Sequence, residues 1–176
     1  MDGRDNTTPF PAAGYDAHIG KTIPYYASLH EETFHLVKTL KGAPGVWLDT
    51  GCGTGNMVAK ALPLFPSTRF LLADPSAAML EQARAKLAAA DAGRVTFLGA
   101  AGSRELALAP ASCDVVTAIE CHHYLDREGR RAAVGACHRL LAKGVLSNRA
   151  LAAKSRRSSR TSRPRDKYCS LRGRGK

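Results

Sequence analysis

Between Val46 and Asn56 the chain reads VWLDTGCGTGN, and this stretch limits the fold more than any other. A run suited to a buried strand leads into Asp49, and glycines then occupy alternate positions, Gly51, Gly53 and Gly55, before helix-compatible sequence begins. The order predicts a strand, a tight turn and a helix start. Glycine has no Cβ, so it accepts positive φ and lets a ligand approach the backbone, while the first amides of a helix have no partner within it. A small ligand with negative or hydrogen-bonding groups suits such a turn.

Two nucleotide-binding patterns compete for this loop. Read as G-x-G-x-x-G, its sixth position is Asn56, where the dinucleotide pattern needs glycine or alanine for close helix packing. The run is instead D-x-G-x-G-x-G, and a bare glycine-rich turn does not account for that spacing after a buried strand. LDTGCGTGN resembles the first motif of class I S-adenosylmethionine-dependent methyltransferases. The resemblance implies an α/β fold, a doubly wound parallel sheet of Rossmann-like type. It also implies a loop in which Asp49, Gly51, Cys52, Gly53 and Gly55 hold the methionine portion of S-adenosyl-L-methionine.

A second acid supports the pairing. The buried run at residues 69–73, RFLLA, predicts a second strand ending at Asp74, with Pro75 next and 19 positions beyond Gly55. A carboxylate there is placed to accept hydrogen bonds from both hydroxyls of a ribose. Nicotinamide dinucleotides and S-adenosylmethionine both carry that sugar, so Asp74 selects the second only together with the loop. Capping of the helix expected over residues 76–90 is its plainer role.

The remaining elements follow from periodicity. Residues 15–42 predict a helical cap with Leu29, Thr33, Leu36, Val37 and Leu40 on one face. Residues 56–64 predict a short helix, residues 95–98 a third strand and residues 113–126 a fourth whose end opens onto polar groups; residues 126–141 predict a further helix. In open parallel sheets the ligand crevice lies beyond the carboxyl ends of strands, which places Glu120, His122, His123 and Tyr124 where the first and fourth strands diverge. Family resemblance gives these residues the acceptor side, with Glu120, His122 and His123 as catalytic candidates, and lets Tyr26 in the cap shield the sulfonium. Past the third strand, Gly99, Ala100 and Ala101 offer no side-chain acceptor, which leaves adenine recognition to backbone groups or Ser103. Adjacent histidines seldom reach one ion together and no third ligand is evident, so no metal is expected.

The chain holds 176 residues, one domain's worth, with no long apolar run and a polar amino terminus. These features predict a soluble, cytoplasmic protein without a membrane segment. Five cysteines, Cys52, Cys113, Cys121, Cys137 and Cys169, contain no C-x-x-C pair and read as free thiols. Residues 143–176 carry twelve Lys or Arg against one acid, Asp166, so the tail holds the whole net charge of +11. The preceding residues are neutral.

The domain reading is therefore a disordered lead-in at 1–14, a methyltransferase-like domain at 15–143 and a basic, disordered tail at 144–176. The tail reads either as an arm making nonspecific nucleic-acid contact through counterion release or as an ending foreign to the domain, such as a frameshift product. On either reading the sheet is truncated to strands 1 to 4, with later strands missing, and an unprotected fourth strand favours self-association. The acceptor stays open between a small molecule and RNA, tRNA included. Two further readings stand beside methyl transfer: a non-catalytic nucleic-acid-binding protein and an inactive, incomplete domain.

Overall fold

The computed structural model describes Thr8, residues 10–90 and residues 93–142. They belong to the first of two units of the chain, Met1–Val145; the second, Leu146–Lys176, and with it the expected basic tail, lies outside the described residues. The expected lead-in ends in a 3-10 turn, Ala12–Gly14, followed by helices α1 (Tyr15–Thr22) and α2 (Tyr26–Lys41). Strand β1 (Val46–Thr50), helix α3 (Asn56–Leu64), strand β2 (Arg69–Asp74) and helix α4 (Ala77–Leu87) come next. Strands β3 (Val95–Ala100) and β4 (Val115–Thr117) and helix α5 (Arg127–Leu140) complete the described elements.

All pairings are parallel, in the order β3-β2-β1-β4. The chain winds outward from β1 through β2 to β3, then returns to add β4 on the opposite side, so the strand order reverses between β1 and β4. A sheet of this kind buries both faces. Alternation along β1 divides the core: Trp47 joins Phe34, Phe65, Phe70 and Leu72 on one face, and Leu48 joins Ala73, Leu106, Cys113 and Leu140 on the other. Asp114 fixes the entry to β1, its Oδ2 accepting from the amides of Gly45 (2.8 Å) and Val46 (3.0 Å).

Two expectations need correction. Helix α2 buries His30, Phe34 and Val37, while Leu29, Leu36 and Leu40 are each 37% exposed. The Phe34 ring sets that rotation, packing edge-on against Trp47 and Phe65. The fourth strand is only three residues long, because Glu120 takes a left-handed backbone (φ 50°) and the chain then crosses the glycine loop and makes a 3-10 turn, His122–Tyr124. The N-cap of α4 is Ser76, whose hydroxyl accepts from Met79 N at 3.1 Å.

The cap is tied down far along the chain. Asp16 of α1 accepts from Asn56 Nδ2 (2.8 Å) and Lys86 Nζ (2.6 Å), and also from the Thr54 hydroxyl. One carboxylate thus joins α1 to the starts of α3 and the end of α4.

Gly51 and Gly53 separate two uses of glycine. Both have positive φ, 71° and 55°, but a Cβ on Gly51 would lie 2.4 Å from Cys121 Cβ, whereas one on Gly53 meets nothing within 4 Å. Gly51→Ala is expected to cost about 2–5 kcal/mol, combining left-handed strain with overpacking. Gly53→Ala should cost only about 1–2 kcal/mol, from strain alone. Urea unfolding of both variants checks the order, and equal losses would contradict it.

Candidate functional site

The loop after β1 is anchored from both sides. Gly51 N and Cys52 N donate to Ala73 O at 2.8 and 3.1 Å, and Gly55 N donates to Cys52 O at 3.0 Å. Gly53 N donates to Asp74 Oδ2 at 2.8 Å, while Asp74 Oδ1 accepts from Ser76 N at 2.9 Å. The acid at the end of β2 and the turn after β1 therefore hold one another.

They share a cavity of about 310 Å³ beyond the carboxyl ends of β1 and β4. Of the residues singled out from the sequence, Tyr26, Asp49, Gly51, Cys52, Gly53, Asp74, Pro75, Glu120 and His122 line it. Gly55 does not. It stands at the N-terminus of α3, where a Cβ would come within 3.1 Å of Leu87 and 3.2 Å of Ala83, so it admits α4 close to the loop. His123 also lies outside the lining; it is exposed, against Tyr124 and 3.7 Å from Glu120 Oε2.

Asp49 is buried at 3% exposure and bonded to the Thr117 hydroxyl at 2.7 Å. Trp47 Nε1 donates to that same hydroxyl at 3.0 Å, completing a relay from the core to the carboxylate. Burial pushes the Asp49 carboxyl up to about 7; the Thr117 bond opposes this and the charge of Asp74 adds to it. Burial likewise raises the Cys52 thiol, and it pushes the Cys121 thiol up to about 12, which leaves both protonated at neutral pH.

A second relay crosses the opposite wall. Thr50 Oγ1 and Ser103 Oγ lie 2.8 Å apart, and Ser103 Oγ lies 2.8 Å from His122 Nε2. Burial lowers the pKa of His122, favouring the neutral ring. Sequence reasoning offered Ser103 only for adenine and did not find its link to His122, since a serine after Gly102 carries no signal of a partner 19 positions on.

The cap closes the remaining side with Tyr15, Tyr26 and His30. His30 was not singled out as a site residue. It is 2% exposed, its ring meets Tyr26 edge-on at 4.7 Å, and its Nδ1 is buried without a hydrogen-bond partner. Burial lowers its pKa to about 4, with Lys60 contributing, so the ring is neutral near pH 7.

Residues 48–147 match the family model described as a methyltransferase domain, more than half of the chain. The chain belongs to the methyltransferase-domain family. Among solved structures this domain resembles the N-methyltransferase NodS from Bradyrhizobium japonicum WM9 in complex with S-adenosylhomocysteine. That likeness has a TM-score of 0.65 and 21% identity over 77% of this chain and 66% of that one. S-adenosylmethionine-bound CalS10, an amino pentose methyltransferase from Micromonospora echinaspora, gives a TM-score of 0.60 and 23% identity over 80% of this chain and 56% of that one. The [4+2]-cyclase SpnF gives 0.56 and 18% over 65% and 42%. The methyltransferase domain thus spans between 42 and 66% of the length of these three chains, and the likeness is one of fold. No curated protein matches.

Among the described residues, no cluster of three or more His, Cys, Asp or Glu is arranged for a metal, and no helix is long and apolar enough to cross a membrane.

The environment of Asp49 generates a pH prediction. Its folded pKa, about 7, lies above the ordinary 3.8, so the stability it contributes is full below that lower value and is lost as pH rises through about 7. His30 acts in the opposite sense over the lower part of that range, so the comparison must be between variants. Asp49→Asn is expected to gain stability relative to the parent protein as pH rises from 5 to 8, in urea unfolding series run with the pH as the variable. A difference that stays constant would show that Asp49 does not titrate there.

Proposed function

We propose that this cavity binds S-adenosylmethionine and that the chain directs its methyl group to a nucleophile on an acceptor molecule. The observation that carries the reading is the 2.8 Å bond between Gly53 N and Asp74, which sets loop and acid on one cavity wall. The residues fit the cofactor. Gly53 leaves open space where a side chain would stand, and three acids, Asp49, Asp74 and Glu120, line a cavity whose described walls hold no Lys or Arg. That balance favours a cation.

When bound, the sulfonium supplies a methyl carbon already activated for displacement. The protein's share is binding, alignment and exclusion of water. Gly51 and Gly53, with Cys52 between them, would hold the methionine portion beside Asp49, and Asp74 with Pro75 would take the ribose. Asp74 accepts from Gly53 N through Oδ2 and from Ser76 N through Oδ1, which holds its carboxylate at the cavity wall where the ribose would lie. Tyr26 would shield the cation with its ring face. Glu120 and His122 stand on the acceptor side. In the tautomer whose Nε2–H donates to Ser103 Oγ, His122 has Nδ1 left to receive the acceptor's proton. The left-handed backbone of Glu120 supports a site role, since such conformations cluster where function needs them. His123, exposed beside Glu120, would act only at the rim.

Isothermal titration tests the reading. S-adenosylmethionine and S-adenosylhomocysteine should give heat and nicotinamide dinucleotides none; heat from a dinucleotide alone would overturn it. Asp74→Asn should weaken cofactor binding by about 1.5–3 kcal/mol, roughly ten- to a hundredfold, through loss of charged hydrogen bonds. Because ionised Asp49 favours a cation, affinity for S-adenosylmethionine should rise with pH through about 7, more steeply than affinity for the uncharged-sulfur product.

A further inference from the structure

Thr117 has no part in the cofactor contacts above, yet its hydroxyl is engaged twice. Alternation along β1 puts Trp47 and Asp49 on one face of the sheet, and the parallel register sets Thr117 of β4 beside Asp49. Trp47 Nε1 lies 3.0 Å from Thr117 Oγ1, which lies 2.7 Å from Asp49 Oδ1. An indole N–H can only donate, so the Thr117 oxygen accepts from Trp47 and its own proton is left for the carboxylate. Leu48 O, at 3.4 Å, is the more distant alternative for that proton. Trp47 is fully buried and meets Phe34 and Phe65 edge-on, so the core fixes the donor end of the relay.

The two Asp49 oxygens differ. Oδ1 is held by Thr117, while Oδ2 has no hydrogen bond among the described residues. Oδ2 is not sealed in: among those residues the buried side-chain nitrogen or oxygen without a partner is His30 Nδ1. The open side of Oδ2 is the cavity that Asp49 lines. We propose that Trp47 and Thr117 are positioning residues for Asp49: they hold its carboxylate by one oxygen, favour its charged form and leave the other oxygen to a cationic group in the cavity. That group is the ammonium or the sulfonium of S-adenosylmethionine, and only there does the proposal rest on the methyl-transfer reading. The relay belongs to the chain itself. Other ionisable groups feel the Asp49 charge: Asp74 at the end of β2, Cys52 in the loop, Cys121 beyond β4 and Tyr26 of α2. Burial keeps the two thiols and the phenol protonated near pH 7, and Asp74 adds a like charge. The cavity histidines His30 and His122 are both lowered by burial and gain their protons in a more acid range.

Trp47 is the one tryptophan of the chain, so its indole N–H gives a single resonance in ¹H–¹⁵N spectra. In the full chain without ligand, that resonance should move with pH through a midpoint of about 7 that coincides with the midpoint of the Asp49 carboxyl ¹³C, and Asp49→Asn should abolish the inflection. Thr117→Val, which keeps the shape and removes the hydroxyl, should raise the Asp49 carboxyl midpoint by about one to two pH units, and Thr117→Ser should restore it. Loss of packing alone would not move that midpoint in this direction and reverse it with serine. In isothermal titration at about pH 7.5, Thr117→Val should bind S-adenosylmethionine at least about threefold more weakly than the parent, with the gap narrowing above the variant's own midpoint. S-adenosylhomocysteine, which keeps the ammonium and lacks the sulfonium, assigns the cation: an equal loss marks the ammonium and no loss the sulfonium. An indole resonance that ignores the Asp49 midpoint, a Thr117→Val midpoint that stays or falls, or a raised midpoint with S-adenosylmethionine affinity unchanged would each overturn the proposal. If S-adenosylmethionine does not bind the parent protein, methyl transfer fails as a function, and the ligand-free titrations still decide the relay. If Thr117→Val does not fold, the indole and carboxyl midpoints of the parent must still coincide, and a mismatch sinks the relay.

Discussion

Burying a carboxylate obliges the chain to surround it with donors, and at the end of β2 those donors are the amides of Gly53 and Ser76. Asp74 is 8% exposed, and bonds of this kind make its position tolerable. They also fix everything nearby. Holding Gly53 sets the turn after β1, and holding Ser76 presents its hydroxyl as the cap of α4. The glycines around it then divide the labour: Gly51 admits Cys121 from the β4 side, Gly55 admits α4, and Gly53 faces the cavity.

What could be read from the sequence was what short stretches decide. The bounds of α3, the end of β2 at Asp74 and the span of α5 follow from local strand, cap and breaker chemistry, and the structure has them. The face of α2 was misjudged because the leucines outnumber the aromatics, whereas Phe34 finds Trp47 and Phe65 only once β1 and α3 are packed beneath it. The early end of β4 was invisible for a similar reason: Cys121 lies against Gly51, 70 positions earlier, and no pattern within residues 113–126 announces that contact.

The site divides along the same line. Asp49, Gly53 and Asp74 announce themselves by spacing after strands. The sequence groups His30 and Tyr15 with Tyr26 in the cap, but their place in the cavity depends on where the cap comes to rest, and a histidine within an amphipathic helix reads as packing. Its signal appears only as a nitrogen without a partner. Thr117 is similar: it reads as an ordinary strand residue until register sets it opposite Asp49, where it bonds both that carboxylate and the indole of Trp47.

The clasp formed by Asp16 with Lys86, Thr54 and Asn56 differs from the Asp74 contacts in its exposure to solvent. It holds down α1, while the chain between α1 and α2 bends at Pro24 and at Tyr25, a left-handed residue 83% exposed. Its charged pair is partly solvated, with Asp16 46% and Lys86 26% exposed, so dissolved ions weaken it while leaving the buried Asp74 contacts almost untouched. Ionic strength therefore acts on the two sides of the cavity unequally: it weakens the contact that ties down α1 and spares the buried contacts between the glycine loop and β2.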